Sequence, residues 1–422
     1  MPEISPSLVV SDGRGRVFEL KQYQALGISG ENVVEIPSDE WILLLEGSQL
    51  MELPSRLPVG KDRQSGAVVT LTENDDQKLL AVAAFVAPAY TIFYHAAWEK
   101  MPRARRLPLF AYSAVGWFDG RFYVPAVRID PDIRQDPPNF NRAEISKSAQ
   151  LQLKRYPHNR LVAHLVNNCA LTYGCPAALN YLLHRWEMPL PTARTCNSAC
   201  LGCLSLQQNS DVCSAQHRLT FTPTAEEIIE TAVPHLETAP EPVASFGQGC
   251  EGEPLMNPQL LYRAIEGIRQ KTARGTINLN SNASRPDVIK KLIEAGLDSL
   301  RVSLNSARPE FYTRYFRPRN YTFDNVLESI RVMKNANRFV SINYFTFPGF
   351  SDQPSEIEAF EKILSDYEID LIQWRNLNID PEWYWEELNP PEEDGIGIRQ
   401  LIEYYKAKFP RLRHGYFNPS LK

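Results

Sequence analysis

The stretch PTARTCNSACLGCLS, residues 191–205, carries three cysteines in the spacing CxxxCxxC. They are Cys196, Cys200 and Cys203, and a loop this short can bring three thiolates to one soft metal centre. A closed zinc site usually takes four ligands, often from two separated pairs, and the chain has no second CxxC pair. Iron–sulfur clusters also use cysteine thiolates. From the spacing alone, a cluster, a zinc site and a chance grouping all remain open.

Length and composition set the broad class. A chain of 422 residues predicts two domains, and 43% hydrophobic with 23% charged residues is typical of a soluble globular protein. The net charge of −5 disfavours a nucleic-acid binder, whose binding surface is normally basic. No apolar run reaches the ~20 residues of a membrane helix, and the first residues do not resemble a signal peptide. We therefore expect a cytoplasmic protein that has no membrane partner and whose seven cysteines are reduced.

The amino-terminal part, residues 1–150, is predicted to be a mainly β domain. Short apolar or alternating runs recur between turn residues, and Asp119-Gly120 between two such runs is a strong hairpin signal. No nucleotide-binding loop or metal motif occurs here, and His95 is interpreted as a structural histidine. A role in recognising a substrate or partner would suit this domain.

Residues 151–189 are predicted to form a helical connector. Cys169 and Cys175 lie within it, and buried free cysteines most often act as small hydrophobic residues. With Cys213 they would make three possible ligands of an auxiliary cluster, and that alternative stays open.

From residue 190 to about 390, strand-like runs alternate with helical patterns. Such repeats predict a parallel sheet with helices packed outside it, and right-handed crossovers would curl the sheet. The predicted fold class is α/β: a six-stranded partial (β/α)6 barrel, preceded by the mainly β domain and followed by a carboxyl-terminal helix and tail at 391–422. Helix signals include a capping box at Thr224 and Glu227 and a terminating glycine, Gly296. The six predicted strands are residues 190–195, 242–248, 276–281, 299–304, 339–347 and 369–377.

Unusual polar groups follow the predicted strands. Ligands of parallel α/β sheets bind at the carboxyl ends of the strands, and the cysteine loop (residues 191–205) follows the first one. The segment GQGCEGEPLMNP follows the second strand. Arg301, Arg314 and Arg317 are nearby cations to which no role is assigned. The candidate binding residues at these strand ends are Gly252, Glu253, Asn280, Ser303 and Asn305.

Two of these motifs together resemble a known family. The CxxxCxxC loop and the GEP of residues 252–254 resemble the signature and the GGEP motif of the radical S-adenosylmethionine (radical SAM) enzymes. The resemblance implies a [4Fe–4S] cluster held by the three cysteines, with S-adenosylmethionine (SAM) chelating the fourth iron. Glu253, beside Gly252, would receive the SAM amino group. Asn280, Ser303 and Asn305 would contact SAM as well.

The sequence departs from the family pattern at two positions. Glu251 replaces the first glycine of GGEP, which puts a second carboxylate near Glu253. Gly202 stands where the family usually has an aromatic residue before the third cysteine, so Leu201 or Leu204 would cover the adenine instead.

The resemblance implies an oxygen-sensitive enzyme. Its cluster would reductively cleave SAM to methionine and a 5′-deoxyadenosyl radical, which abstracts hydrogen from a substrate. It also implies an electron donor such as a flavodoxin or ferredoxin. The substrate could be a small molecule, a peptide or RNA. The alternative is a non-catalytic structural module that binds zinc or an iron–sulfur cluster, with Cys213 as a possible fourth zinc ligand.

Overall fold

The computed structural model describes residues 4–74, 76–207 and 211–422. In the described part of the amino-terminal region, antiparallel strands dominate and eleven of them join one sheet. Asp119 and Gly120 form a two-residue turn in which both have positive φ, so the predicted hairpin is confirmed. The strands are β1 (Ser7–Ser11), β2 (Val17–Ala25), β3 (Gly27–Ser29), β4 (Asn32–Val34), β5 (Trp41–Leu43), β6 (Gln49–Glu52), β7 (Arg56–Asp62), β8 (Val68–Thr70), β9 (Glu73–Asn74), β10 (Gln77–Lys78), β11 (Leu80–Phe85), β12 (Tyr90–Ile92), β13 (His95–Ala96), β14 (Trp98–Lys100), β15 (Gly116–Phe118) and β16 (Arg121–Arg128).

A helical segment joins this region to the second sheet. It contains α1 (Arg142–Arg155), α2 (Arg160–His164) and α3 (Pro176–Leu182). Between α2 and α3, residues Leu165–Thr172 form a π-helix, a rare conformation with i→i+5 hydrogen bonds. The helices thus begin before the predicted connector.

The second half of the chain is a mixed α/β fold built on a parallel sheet. Seven strands pair in chain order, where six were predicted. The additional strand lies in the predicted tail, where three residues are too few to show a periodic pattern. The strands are β17 (Glu187–Leu190), β18 (Val243–Phe246), β19 (Thr276–Ser281), β20 (Ser299–Leu304), β21 (Phe339–Thr346), β22 (Leu371–Asn376) and β23 (Arg413–Gly415).

The first strand of this sheet was predicted too late in the chain. It ends at Leu190 instead of spanning residues 190–195. Pro191 has no N–H to donate, and the N–H groups of Thr192 and Ala193 donate to the carboxylate of Glu251 rather than to a neighbouring strand. The residues after Leu190 therefore form a loop over the carboxyl edge of the sheet.

Helices cover the outer face of this sheet. The predicted capping box of Thr224 and Glu227 is present, and Gly296 ends its helix with a φ of 114°, so both helix signals are confirmed. Short 3₁₀ turns lie at Ser38–Glu40, Ile133–Gln135, Pro137–Asn139 and Pro254–Met256. The remaining helices are α4 (Ala225–Thr238), α5 (Pro258–Lys271), α6 (Pro286–Ala295), α7 (Pro309–Phe316), α8 (Phe323–Asn335), α9 (Pro354–Asp366), α10 (Pro381–Leu388) and α11 (Ile398–Lys408).

The sheet is curved, as shown by one side chain that contacts both the first and the sixth strand. The Asn418 amide donates to Glu187 of β17 at 2.7 Å and accepts from Gln373 of β22 at 3.0 Å. Apolar side chains such as Leu279 and Leu300 face the helices and belong to the main core. The residues that alternate with these along each strand point to the opposite, concave face of the sheet. This concave face is polar and includes Glu187, Ser245, Asn278, Asn280, Ser299, Arg301 and Gln373, which hydrogen-bond to one another or to Asn418.

A buried ion pair connects the two halves of the chain. Arg56 of β7 and Asp380, the N-cap of α10, lie 3.1 Å apart with 0% and 1% of their side chains exposed. Asp380 also accepts from the backbone N–H of Leu107 at 2.8 Å. Because this pair is desolvated and hydrogen-bonded, it fixes the β-rich region against the end of the parallel sheet. Within the described residues, no helix is both long and apolar enough to cross a membrane.

Candidate functional site

The cysteine loop lies at the carboxyl edge of the parallel sheet and is held by the end of α7. The backbone N–H groups of Ala199 and Leu201 donate to the carbonyls of Phe316 and Tyr315, at 3.0 and 3.1 Å. These two bonds flank Cys200 in the chain. A Cβ atom on Gly202 would lie 2.9 Å from the Tyr315 hydroxyl. The Tyr315 side chain therefore occupies the space beside the position where the family has an aromatic residue.

The three thiols of the loop are available as metal ligands. Cys196, Cys200 and Cys203 are all half-buried, and none of them is in a disulfide. Zinc takes thiolates around a single ion, and an iron–sulfur cluster takes thiolates on separate irons. The loop can supply three ligands to either kind of centre.

The protein environment disfavours the thiolate form of these cysteines when no metal is bound. Burial, followed by the Glu253 carboxylate, raises the pKa of Cys196 to about 11. Burial, followed by Cys203 and Cys196, raises the pKa of Cys200 well above its usual value. Because metals bind thiolates, loading this loop would release protons, and the metal charge would offset the mutual repulsion.

Arg218 is a functional candidate that the sequence patterns missed. Its guanidinium donates to Cys203 Sγ at 3.3 Å and to Ser205 Oγ at 3.2 Å. This contact puts a permanent positive charge beside a candidate metal-ligating sulfur, and hydrogen bonds to the sulfur atoms of an iron–sulfur cluster tune its reduction potential. Arg218 lies 15 residues beyond Cys203, and no motif spacing marks it.

Glu251 holds the cysteine loop against the loop that follows β18. One carboxylate oxygen accepts from the backbone N–H groups of Thr192 and Ala193 at 2.6 and 2.7 Å. The other accepts from Gly247 and Gln248 at 2.9 and 2.8 Å. Burial raises the pKa of Glu251 to about 7, although these donors act in the opposite direction. The residue that departs from the family motif is thus a structural clamp, with both oxygens turned to the protein backbone.

Gly252 lets the two loops touch. Its N–H donates to the Ala193 carbonyl at 2.7 Å, and the next N–H, that of Glu253, donates to the Thr195 carbonyl at 2.9 Å. A Cβ atom on Gly252 would lie 2.0 Å from the Thr195 oxygen. Only glycine permits this approach, and Thr195 directly precedes Cys196.

Glu253 is buried at the junction of three loops. Oε1 accepts from Ser281 Oγ at 2.6 Å and from the Leu255 N–H at 3.0 Å, and Oε2 accepts from the Asn282 N–H at 2.9 Å. Burial raises the pKa of Glu253 against these bonds. A carboxylate has about four acceptor positions, so these three donors leave one on Oε2.

The other three predicted SAM contacts lie on or next to the concave face. Asn280 Oδ1 accepts from Asn278 at 2.8 Å and from Asn418 at 3.2 Å. Ser303 is half-buried and follows Arg301 by two residues on β20. Asn305 is fully buried; its amide nitrogen donates to Tyr384, and its Oδ1 has no partner.

The three arginines left unassigned separate into two groups. Arg301 donates to Gln373 on the concave face at 3.3 Å, and burial followed by Arg375 lowers its pKa to about 9. Arg314 instead binds the Leu388 carbonyl, and Arg317 pairs with Glu387 at 2.9 Å. The latter two hold α10 and do not line the concave face.

Comparison with known proteins finds a family match within the second half of the chain. Residues 190–360 match the model of the radical SAM superfamily. The resemblance predicted from the CxxxCxxC and GEP motifs is therefore confirmed for this region, and the subfamily stays unresolved.

Two curated proteins match part of the chain. An uncharacterized protein of Methanocaldococcus jannaschii is 26% identical over 150 residues, which cover 36% of this chain and 49% of that protein. The FeMo cofactor biosynthesis protein NifB of Klebsiella pneumoniae is 25% identical over 186 residues, covering 40% of this chain and 39% of that protein. Each match thus spans half or less of the relative.

Among solved structures, methylornithine synthase is similar at 14% identity over 65% of this chain and 74% of that chain. The TM-score is 0.37.

Proposed function

We propose that residues 190–360, as a radical SAM domain, make this protein an enzyme whose Cys196, Cys200 and Cys203 bind a [4Fe–4S] cluster. The observation that carries the proposal is the cysteine loop itself, placed at the carboxyl edge of the parallel sheet and within the region that matches the radical SAM family. The family match favours a cluster over the alternative of a structural zinc module at these three cysteines.

With the cluster and SAM bound, the site would supply radical chemistry: one electron cleaves SAM to methionine and a 5′-deoxyadenosyl radical, which takes hydrogen from a substrate. A reduced flavodoxin or ferredoxin would donate that electron. The protein supplies orientation and exclusion of water. Exclusion is supported by the buried surroundings of the loop, where Tyr315 and Leu201 are almost fully buried.

Several residues around the loop would each form a different hydrogen bond to SAM. Glu253 would use its remaining acceptor position for the SAM amino group, a charge-assisted hydrogen bond of the strong class. Asn305 would offer its unpartnered Oδ1, and Ser303 its half-buried hydroxyl. Asn280 already uses its carbonyl oxygen within the protein, so its amide N–H groups would be the donors.

Arg218 would act on the cluster rather than on SAM. A guanidinium 3.3 Å from Cys203 Sγ stabilises negative charge on that sulfur. The polar concave face, with Arg301 and Gln373 on it, would receive the substrate. A face lined by hydrogen-bonding groups favours a polar substrate over an apolar one.

The deciding experiment compares Cys200→Ala with Cys213→Ser after anaerobic reconstitution with iron and sulfide. Cys213 is exposed and serves as the matched control. Wild type and Cys213→Ser are expected to turn brown and, when reduced with dithionite, to convert SAM to 5′-deoxyadenosine. Cys200→Ala is expected to yield no 5′-deoxyadenosine and to bind less iron than the wild type. Retained cleavage in Cys200→Ala, or a colourless wild type with stoichiometric zinc and no nucleoside, would overturn the proposal.

A further inference from the structure

A second group of metal-binding side chains lies outside the cysteine loop. His164, Cys169 and Cys250 each offer one ligand atom, and these atoms all lie within 4.8 Å of one another. Cys169 and Cys250 are 4% and 6% exposed. None of the three belongs to the CxxxCxxC motif, and Cys213, the exposed cysteine considered for an auxiliary site, is not among them.

The π-helix explains how His164 and Cys169 meet. In an α-helix, residues five apart are rotated by about 140° around the axis and point to different sides. Wider turns with i→i+5 bonds bring residue i+5 back towards the side of residue i. The α2 helix ends at His164, and the π-helix Leu165–Thr172 begins directly after it. The unusual conformation therefore places the imidazole and the thiol on one side, and such segments occur frequently at functional sites.

Cys250 approaches from the other half of the molecule. It lies in the loop after β18, where its carbonyl accepts from the Leu219 N–H at 2.8 Å. It directly precedes Glu251, the clamp of the cysteine loop. The three side chains thus connect the helical segment to the loop that carries Glu251 and Glu253.

Within the group, the Cys250 thiol hydrogen-bonds to Cys169 and to His164. His164 Nε2 is buried and has no hydrogen-bond partner. An unsatisfied buried polar group is costly, and each such group in a folded protein calls for an explanation such as an ion. The imidazole offers one of its two nitrogens to the group. One imidazole and two thiols form the donor set that zinc and iron prefer.

We propose that His164, Cys169 and Cys250 bind a second metal centre, of the imidazole–thiolate class, separate from the CxxxCxxC site. A separation below 4.8 Å accommodates sulfur atoms about 3.8 Å apart, as on one tetrahedral zinc ion. On binding, the two thiols lose their protons to solvent and the imidazole stays neutral.

This centre would link the helical segment that carries His164 and Cys169 to the loop after β18, which is distant from it in the sequence. A metal bond between α2 and the β18 loop would stiffen the segment preceding Glu251. The proposed site therefore has a structural consequence even without redox chemistry, and it goes beyond the proposed radical SAM function.

The test uses the full chain with Cys196, Cys200 and Cys203 all replaced by alanine, which removes the first site and makes the outcome independent of the proposed function. Metal content is measured after purification with supplied Zn²⁺ and, separately, after anaerobic reconstitution with iron and sulfide. We expect about one zinc per chain, or iron with sulfide-dependent colour, in one of these two preparations. Either result supports the second centre, and the two arms distinguish a zinc ion from a cluster.

Further variants in the same background locate the metal. Adding His164→Ala or Cys250→Ser is expected to lower the metal content at least tenfold, whereas adding Cys213→Ser is expected to leave it unchanged. Titration with Co²⁺ tests the ligands without altering them, because two bound thiolates give an intense charge-transfer absorption that one or none does not match. Absence of metal in both preparations together with absence of this absorption would overturn the proposal. So would metal retained when His164 and Cys250 are both replaced, or a Cys169–Cys250 disulfide in the freshly purified protein.

Discussion

Replacing Gly252 by alanine tests how the cysteine loop is positioned. The new Cβ would lie 2.0 Å from the Thr195 carbonyl oxygen, whereas real Cβ contacts essentially never fall below 3.0 Å. The two backbones must therefore separate by at least about 1 Å, the difference between these values. Gly252 does not have a positive φ, so the effect is steric and not due to backbone strain.

The consequence should appear at the metal site. Thr195 directly precedes Cys196, and functional groups need to be held within about 0.5 Å of their working positions. We expect the variant to lose about 1–3 kcal/mol of stability, as overpacked sites do. We also expect a lower iron content than in the wild type after reconstitution without SAM, read from iron analysis and visible absorbance.

Gly249→Ala is the matched control. Its Cβ would lie 2.8 Å from Gln216 Nε2, the end of a flexible side chain that can move away. This variant, in the same loop, should load iron as the wild type does. If Gly252→Ala and Gly249→Ala load iron equally well, close contact between the two loops does not position Cys196, and the reasoning is refuted.

Three further predictions address single buried groups. Glu251→Gln turns an amide NH₂ towards two backbone N–H donors, and the loops held by this side chain should lose about 3 kcal/mol of local stability. Hydrogen exchange in residues 192–193 or 247–248 should then be about a hundredfold faster. Glu356→Gln, at another buried carboxylate, should leave these amides unchanged. Glu253→Gln should weaken SAM binding while iron content stays near normal, and equilibrium dialysis with SAM checks this; loss of iron would make Glu253 structural. His95 is fully buried, and burial lowers its pKa from 6.5 to about 4. Between pH 6.5 and 4, the unfolded chain therefore binds more protons at this residue than the folded protein does. Relative to His95→Gln, the wild type should lose up to about 3 kcal/mol in urea unfolding between pH 6.5 and 4, and parallel pH curves would contradict this.

Local signals in the sequence were sufficient for several turns and helix ends in both halves of the chain. The capping box at Thr224, the terminal Gly296 and the Asp119-Gly120 turn act over a few residues, and all three appear as predicted. The exceptions are instructive. The first strand ends at Leu190 because the next N–H groups bind a carboxylate some sixty positions along the chain, which no local pattern reveals.

For the candidate site, the sequence by itself determined which thiols stand together, because Cys196, Cys200 and Cys203 share one short loop. Only the tertiary structure placed Arg218 on Cys203 Sγ and brought Cys250 to His164 and Cys169. The physical reason is that hydrogen bonds and metal ligation depend on distances of a few ångströms. Residues far apart in the chain reach such distances only through the packing of the elements that carry them.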